Sequence, residues 1–233
     1  MRTSMNIASA ERELALPARR STDNRSPFVR LAELIAGIEP GKPAIDLGVG
    51  EPKHGVPAFV APVLAAHIDG FGQYPRNEGT LPFRQAAADW AARRFKLDRV
   101  PDPSREVLVL NGSREGLFLA SVVARQYATS RAGRPAVLIP NPFYAAYAAG
   151  AALADCETVY LPATRETGFL PDLDALDDAL LRRTVAMFLA SPSNPQGAVA
   201  DLAYLQRATA LARRYGFLLF CDECYSEIGR AHV

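Results

Sequence analysis

Short apolar runs recur along the second half of the chain, and between them lie longer amphipathic stretches. The runs are EVLVL (106–110), AVLIP (136–140), ETVYL (157–161), VAMFLA (185–190) and FLLFC (217–221). Stretches 114–127, 143–153, 172–182 and 201–215 separate most of them and carry helical periodicity. Uniformly apolar strands that alternate with helices predict a parallel sheet covered on both faces. Such a sheet binds its ligands just beyond the carboxyl ends of its strands. Upstream, SPFVRLAELIAGI reads as a helix, with Ser26 as N-cap and Pro27 in the first turn. GKPAIDLGVGEP reads as an extended piece ending in a glycine-rich turn, and helices are predicted from Pro57 to Ile68 and from Thr80 to Phe95.

Composition narrows the partners. With 49% hydrophobic and 22% charged residues and a formal net charge of +1, the chain has neither a nucleic-acid footprint nor a polybasic membrane anchor. No run is long enough to span a bilayer, and a cytoplasmic location is expected. The opening MRTSMNIASAERELALPARR is arginine-rich but broken by Glu11 and Glu13; it reads as a mobile arm, with a transit peptide as the alternative. Three cysteines, Cys156, Cys221 and Cys224, form no disulfide framework. CDEC has C-x-x-C spacing, so a redox pair or half a zinc site is one reading; two cysteines near a strand end is the plainer one. No metal site is expected.

The polar clusters stand at the strand ends. LNGSREGLFLA opens a helix whose first N–H groups form an anion site, with Ser113 as either ligand or cap. IPNPFYAAY presents Phe143, Tyr144 and Tyr147, an aromatic plate for a planar ligand or packing for the sheet edge. LASPSNPQG leaves Asn194 as an amide with both donor and acceptor capacity. CDECY places Asp222 and Tyr225 three residues apart at the end of a buried strand, where an unpaired carboxylate is costly.

These motifs, with LGVGEP and YPRNEGTLPFRQA before them, stand in the order and spacing of a known family. The chain resembles the class I/II (fold type I) pyridoxal-phosphate-dependent aminotransferases from Ser26 to Glu227. PFVRLAELIAG and PNPFYAAYAAGA are most similar to the N-succinyldiaminopimelate aminotransferase branch. The resemblance implies an α/β fold: the three-layer parallel sheet of the large domain, incomplete, with an N-terminal piece of the small domain. Residues 1–25 are then an arm, 26–56 the small-domain segment and 57–233 the first part of the cofactor domain.

For the site, the resemblance implies pyridoxal 5'-phosphate. Asp222 would pair with the pyridine nitrogen, Asn194 and Tyr225 would hydrogen-bond the phenolic oxygen, and Tyr144 would stack on the ring. Ser113 and Arg114 would hold the phosphate, Arg114 chiefly through its backbone N–H. Tyr74 would reach the cofactor phosphate of a neighbouring subunit in a homodimer, and Gly50 would lie near the substrate carboxylate. The substrates would be an amino acid and a keto acid.

One element is missing from this set. Of 26 basic residues only Lys42, Lys53 and Lys96 are lysines, and none follows the Asp-x-x-Tyr motif, where the resemblance places the Schiff-base lysine. No catalytic residue is therefore assigned. The expectation is an inactive fragment, cut or frame-changed near Gly229. A non-catalytic cofactor-binding or interaction module, and other fold type I enzymes such as a β-lyase or a cyclopropane-forming synthase, remain alternatives. The late strands of the family are also expected to be absent, which would leave 106–110 beside a gap.

Overall fold

The computed structural model describes residues 27–43, 45, 54–128 and 133–228. Ser26, Gly50 and Lys53, and with them most of the predicted extended piece, lie outside the described residues. The chain divides into two compact units, Met1–Gln73 and Tyr74–Val233. The first contributes α1 (Pro27–Ile35), α2 (Val60–Ala66) and a 3-10 turn over Ile68–Gly72.

The second unit holds α3 (Leu81–Phe95), α4 (Ser113–Tyr127), β1 (Ala136–Asn141), α5 (Ala145–Leu153), β2 (Glu157–Pro162), α6 (Asp178–Arg183), β3 (Thr184–Ala190), α7 (Leu202–Tyr215) and β4 (Leu218–Asp222). All strands are parallel, in the order β2-β1-β3-β4. The α5 crossover leads from β1 to one flank, and the α6 crossover returns past β1 to β3. The winding reverses between β1 and β3, and a crevice opens beyond the carboxyl ends of those strands.

Strand parity builds the three layers. Val137, Ile139, Ala186 and Phe188 pack on one face with Ala120 and Ala124 of α4 and Tyr147 and Ala151 of α5. Leu138, Met187 and Leu189 pack on the other with Tyr204, Ala208 and Ala212 of α7. β1 is buried except for its last residue and β3 along its whole length, as strands covered on both faces must be. Among the described residues, Asp177 caps α6 by accepting from the Leu180 N–H and Asp201 caps α7 by accepting from the Tyr204 N–H, each at 2.7 Å. α7 stops at Gly216, whose φ of 69° is left-handed, with Arg213 and Arg214 in its last turn.

Three expectations need correction. Residues 106–110 form no strand: among the described residues no ladder partner stands beside them, and a strand exists only through its pairing. Leu108 and Leu110 are largely exposed there. The helix expected over 172–182 shrinks to α6, because Asp172 closes a local turn onto the Asp174 N–H at 2.9 Å while Leu173 is held in the core. Ser113 is not the cap of α4. That position belongs to Gly112, at φ 130°, and no side chain caps the helix.

Candidate functional site

The crevice at the winding reversal is a cleft of about 180 Å³. Ser113 comes to it from the start of α4, Tyr144 from the turn after β1, and Asn194 from the loop after β3. Asp222 and Tyr225 come from the end of β4. Five of the expected cofactor-binding residues therefore share one cavity. Arg114 lies outside its lining and sets its guanidinium 5.9 Å from the centre of the Tyr144 ring. Tyr74 is fully exposed and away from the cleft. Gly50 lies outside the described residues.

The loop that presents Asn194 is tied by its own serines. The Ser193 N–H donates to Ala198 O at 2.8 Å, and the Ser193 hydroxyl accepts from the Ala198 N–H at 2.9 Å. Ser191 accepts from the Ala200 N–H at 3.0 Å and donates its own N–H to Asp222 O at 3.0 Å, which joins this loop to β4. Asn194 Nδ2 then donates to the Tyr225 hydroxyl at 3.3 Å. Burial, with the charges of Cys224 and Asp222 behind it, pushes the Tyr225 phenol up, so it stays a neutral donor.

Asp222 has a protein donor on each oxygen. The Tyr147 hydroxyl donates to Oδ2 at 2.6 Å and the Cys224 N–H to Oδ1 at 3.2 Å. Burial first, and then the Asp222 carboxylate, raise the Tyr147 phenol far above its ordinary range. Burial and the same carboxylate push the Cys224 thiol up to about 11. Both cysteines of CDEC are free, and Cys224 lines the cleft beside Asp222.

The residues present fit pyridoxal phosphate in its ring and its anion. Asp222 keeps acceptor capacity for a ring N–H, and the Asn194–Tyr225 pair offers polar atoms to a ring oxygen. Gly112 leaves the first-turn N–H groups of α4 without a side-chain cap, free for a phosphate. Gln196 Oε1, in the cleft wall, is buried without a protein partner and so has an acceptor to give. No lysine lines the cleft; of the described lysines, Lys96 caps the end of α3 and Lys42 belongs to the other unit.

Gln196 carries no role in the sequence reading, and Tyr147 appears there only as part of the aromatic plate, not as a partner of Asp222. Tyr147 had a signal: three residues after Tyr144 on a helix, it shares the face turned to the sheet. Gln196 had none beyond its place in the Pro-Gly loop.

A parallel sheet wound this way brings an acid, an amide and a phenol to one cleft. The chain belongs to the family Aminotransferase class I and II, whose model matches residues 42–232. Members of that family are in general pyridoxal-phosphate-dependent. The chain is 40% identical over 204 residues to an LL-diaminopimelate aminotransferase of Moorella thermoacetica, covering 86% of this chain and 50% of that protein. It is 39% identical to the protein of the same name from Desulforudis audaxviator, with the same coverage. Among solved structures, aminotransferase AspB of Helicobacter pylori superposes with a TM-score of 0.80 at 33% identity, covering 89% of this chain and 53% of that one. An aminotransferase of Neisseria meningitidis gives 0.77 at 35%, covering 88% and 51%. The chain thus spans about half the length of the relatives it matches.

Proposed function

We propose that this chain supplies the cofactor cleft of a pyridoxal-phosphate-dependent aminotransferase, which moves an amino group from an amino acid to a keto acid in amino-acid biosynthesis. The observation that carries this is Asp222, held by a donor on each oxygen at the end of β4, in one cleft with the Asn194–Tyr225 pair. When bound, pyridoxal phosphate supplies an electron-withdrawing ring that stabilises negative charge at the substrate Cα.

The chain's residues divide the binding among them. Asp222 keeps the ring nitrogen protonated by offering it a charged acceptor. Asn194 and Tyr225 orient the ring through its oxygen, Tyr144 covers one ring face, and Ser113 with the Arg114 N–H receives the phosphate. The relatives' name points to a diaminopimelate-type substrate. Free LL-diaminopimelate and its N-succinyl derivative are the two candidates, with Gly50 near the substrate carboxylate. Tyr74, fully exposed, would reach the cofactor phosphate of a second subunit in a homodimer. The division into 1–25, 26–56 and 57–233 and a cytoplasmic location complete the reading; no helix among the described residues is long and apolar enough to cross a membrane.

A second reading, binding without turnover, is favoured by one observation: among the described residues no lysine lines the cleft. Both are tested by titrating the chain with pyridoxal phosphate, reducing with borohydride, and assaying keto-acid formation from an amino donor. Saturable binding, weakened at least about tenfold in Asp222→Ala, is expected. So are the absence of a reduced lysine adduct and the absence of turnover. Binding that ignores Asp222→Ala would overturn the cleft assignment. Sustained turnover, with an adduct on one of the three lysines, would overturn the binding-only reading.

A further inference from the structure

Tyr147 is 1% exposed, and its ring stacks on Phe188 at 4.5 Å and 12°. A buried tyrosine places its hydroxyl where it finds a partner. Here the partner is Asp222 Oδ2, at 2.6 Å and 75 residues further along the chain. The other carboxylate oxygen takes the Cys224 N–H at the longer distance of 3.2 Å. An aspartate χ2 is a broad torsion, so one such tether leaves the carboxylate plane free to swing. The second donor, fixed by a stacked ring, removes that freedom. The phenol does not compete for the role of base, since its proton is held far above the ordinary tyrosine range.

We infer that Tyr147 is a positioning residue for Asp222: its hydroxyl orients the carboxylate so that the remaining acceptor capacity meets the ring nitrogen of the bound cofactor. This rests on the proposed function and adds a residue to it. The Phe188 ring beneath Tyr147, and the Phe220 ring stacked on Phe188 at 5.2 Å, hold the phenol in place but offer the ligand no polar atom.

The test measures the affinity of the full chain for pyridoxamine 5'-phosphate, which needs no lysine. The comparison ligand is the carbocyclic analogue in which C–H replaces the ring nitrogen. The ratio of the two dissociation constants isolates the nitrogen contact. In the unsubstituted chain the analogue should bind at least about tenfold more weakly, and Asp222→Asn should bring the ratio near one. Tyr147→Phe should lower the ratio several-fold, because the affected contact is Asp222 with the nitrogen.

If Tyr147→Phe weakens both ligands equally and leaves the ratio intact, Tyr147 is only packing and the inference fails. A ratio near one in the unsubstituted chain instead overturns the role of Asp222, and the inference with it. Tyr147→His, which returns an N–H donor to the same ring stack, should keep the ratio within about threefold of the unsubstituted value. If the phenylalanine variant does not fold, a histidine ratio as low as that of Asp222→Asn overturns the proposal.

Discussion

Gly150 is the position where a single methyl group should cost most for its size. It lies buried in α5, and a Cβ built there would sit 2.1 Å from the Phe118 carbonyl oxygen and 3.0 Å from its carbon. Ordinary carbon-to-oxygen contacts begin near about 3.3 Å, so Gly150→Ala requires α4 and α5 to part by about 1 Å. The obstruction is helix backbone, which cannot rotate aside as a side chain can. Alanine gains up to about 1 kcal/mol in helix propensity over glycine, and overpacking typically costs about 1–3 kcal/mol or more. With backbone on both sides the upper end applies, for a net loss of about 2 kcal/mol. In a chain of this size that is a fall in Tm of about 4–8 °C. The same displacement moves Tyr147, whose 2.6 Å bond to Asp222 lies on that helix, so pyridoxamine phosphate affinity should fall as well. The assay is a thermal melt paired with a ligand titration. Ala149→Gly, on the exposed side of α5, serves as control, losing about 1 kcal/mol through propensity alone. A Tm for Gly150→Ala at or above that of the unsubstituted chain would refute the reasoning, since propensity would then have outweighed the clash.

Two titrations probe charge in the same unit. The Cys224 thiol, pushed up to about 11 by burial and by Asp222, should react slowly with iodoacetamide at pH 8; Asp222→Asn should move the midpoint down towards 9.0, and a midpoint at or below 9.0 in the unsubstituted chain would contradict the geometry. Glu106 is held down at about 2 by the Arg99 guanidinium and the Asp102 N–H. Its folded pKa lies below the ordinary 4.5, so the Arg99 clip contributes fully above pH 4.5 and is lost as pH falls towards 2. A carboxyl carbon-13 titration should give the low midpoint, and Arg99→Ala should return it towards 4.5.

The central strands were legible because uniform burial leaves an uninterrupted apolar run, as in AVLIP and VAMFLA. The site was legible for a related reason: parallel strands put their carboxyl ends on one rim, so residues as distant in sequence as Ser113 and Tyr225 meet in one cleft. What could not be read was anything set by a partner in space. EVLVL has strand composition, but composition provides no ladder. Gly150 looks arbitrary in an alanine-rich helix until the carbonyl of Phe118 stands beside it. Tyr147 could be placed on a helix face by its spacing, but its target lies two crossovers further along. The diaminopimelate-type relatives support the metabolic setting expected from the sequence, while the N-succinyl branch stays a proposal.

Sheet parity explains why that target is Asp222 and not its neighbours. β4 is paired with β3 so that Phe220 faces Phe188 and Asp222 faces Ala190. Leu218 and Phe220 pack against the core shared with α4 and α5, and Leu219 packs against the core shared with α7. Asp222, two residues beyond Phe220, falls on the α5 side, which is where the Tyr147 hydroxyl arrives. Cys221 falls on the other. A slip of one residue in β4 would bury Leu219 against α5 and turn Asp222 away from the phenol. It would also break the stack that runs from Tyr147 through Phe188 to Phe220. The aromatic stack thus fixes the register, and the register aims the carboxylate. A substitution at Phe188 or Phe220 should therefore shift the Asp222 carboxylate through β4, although neither ring lines the cleft.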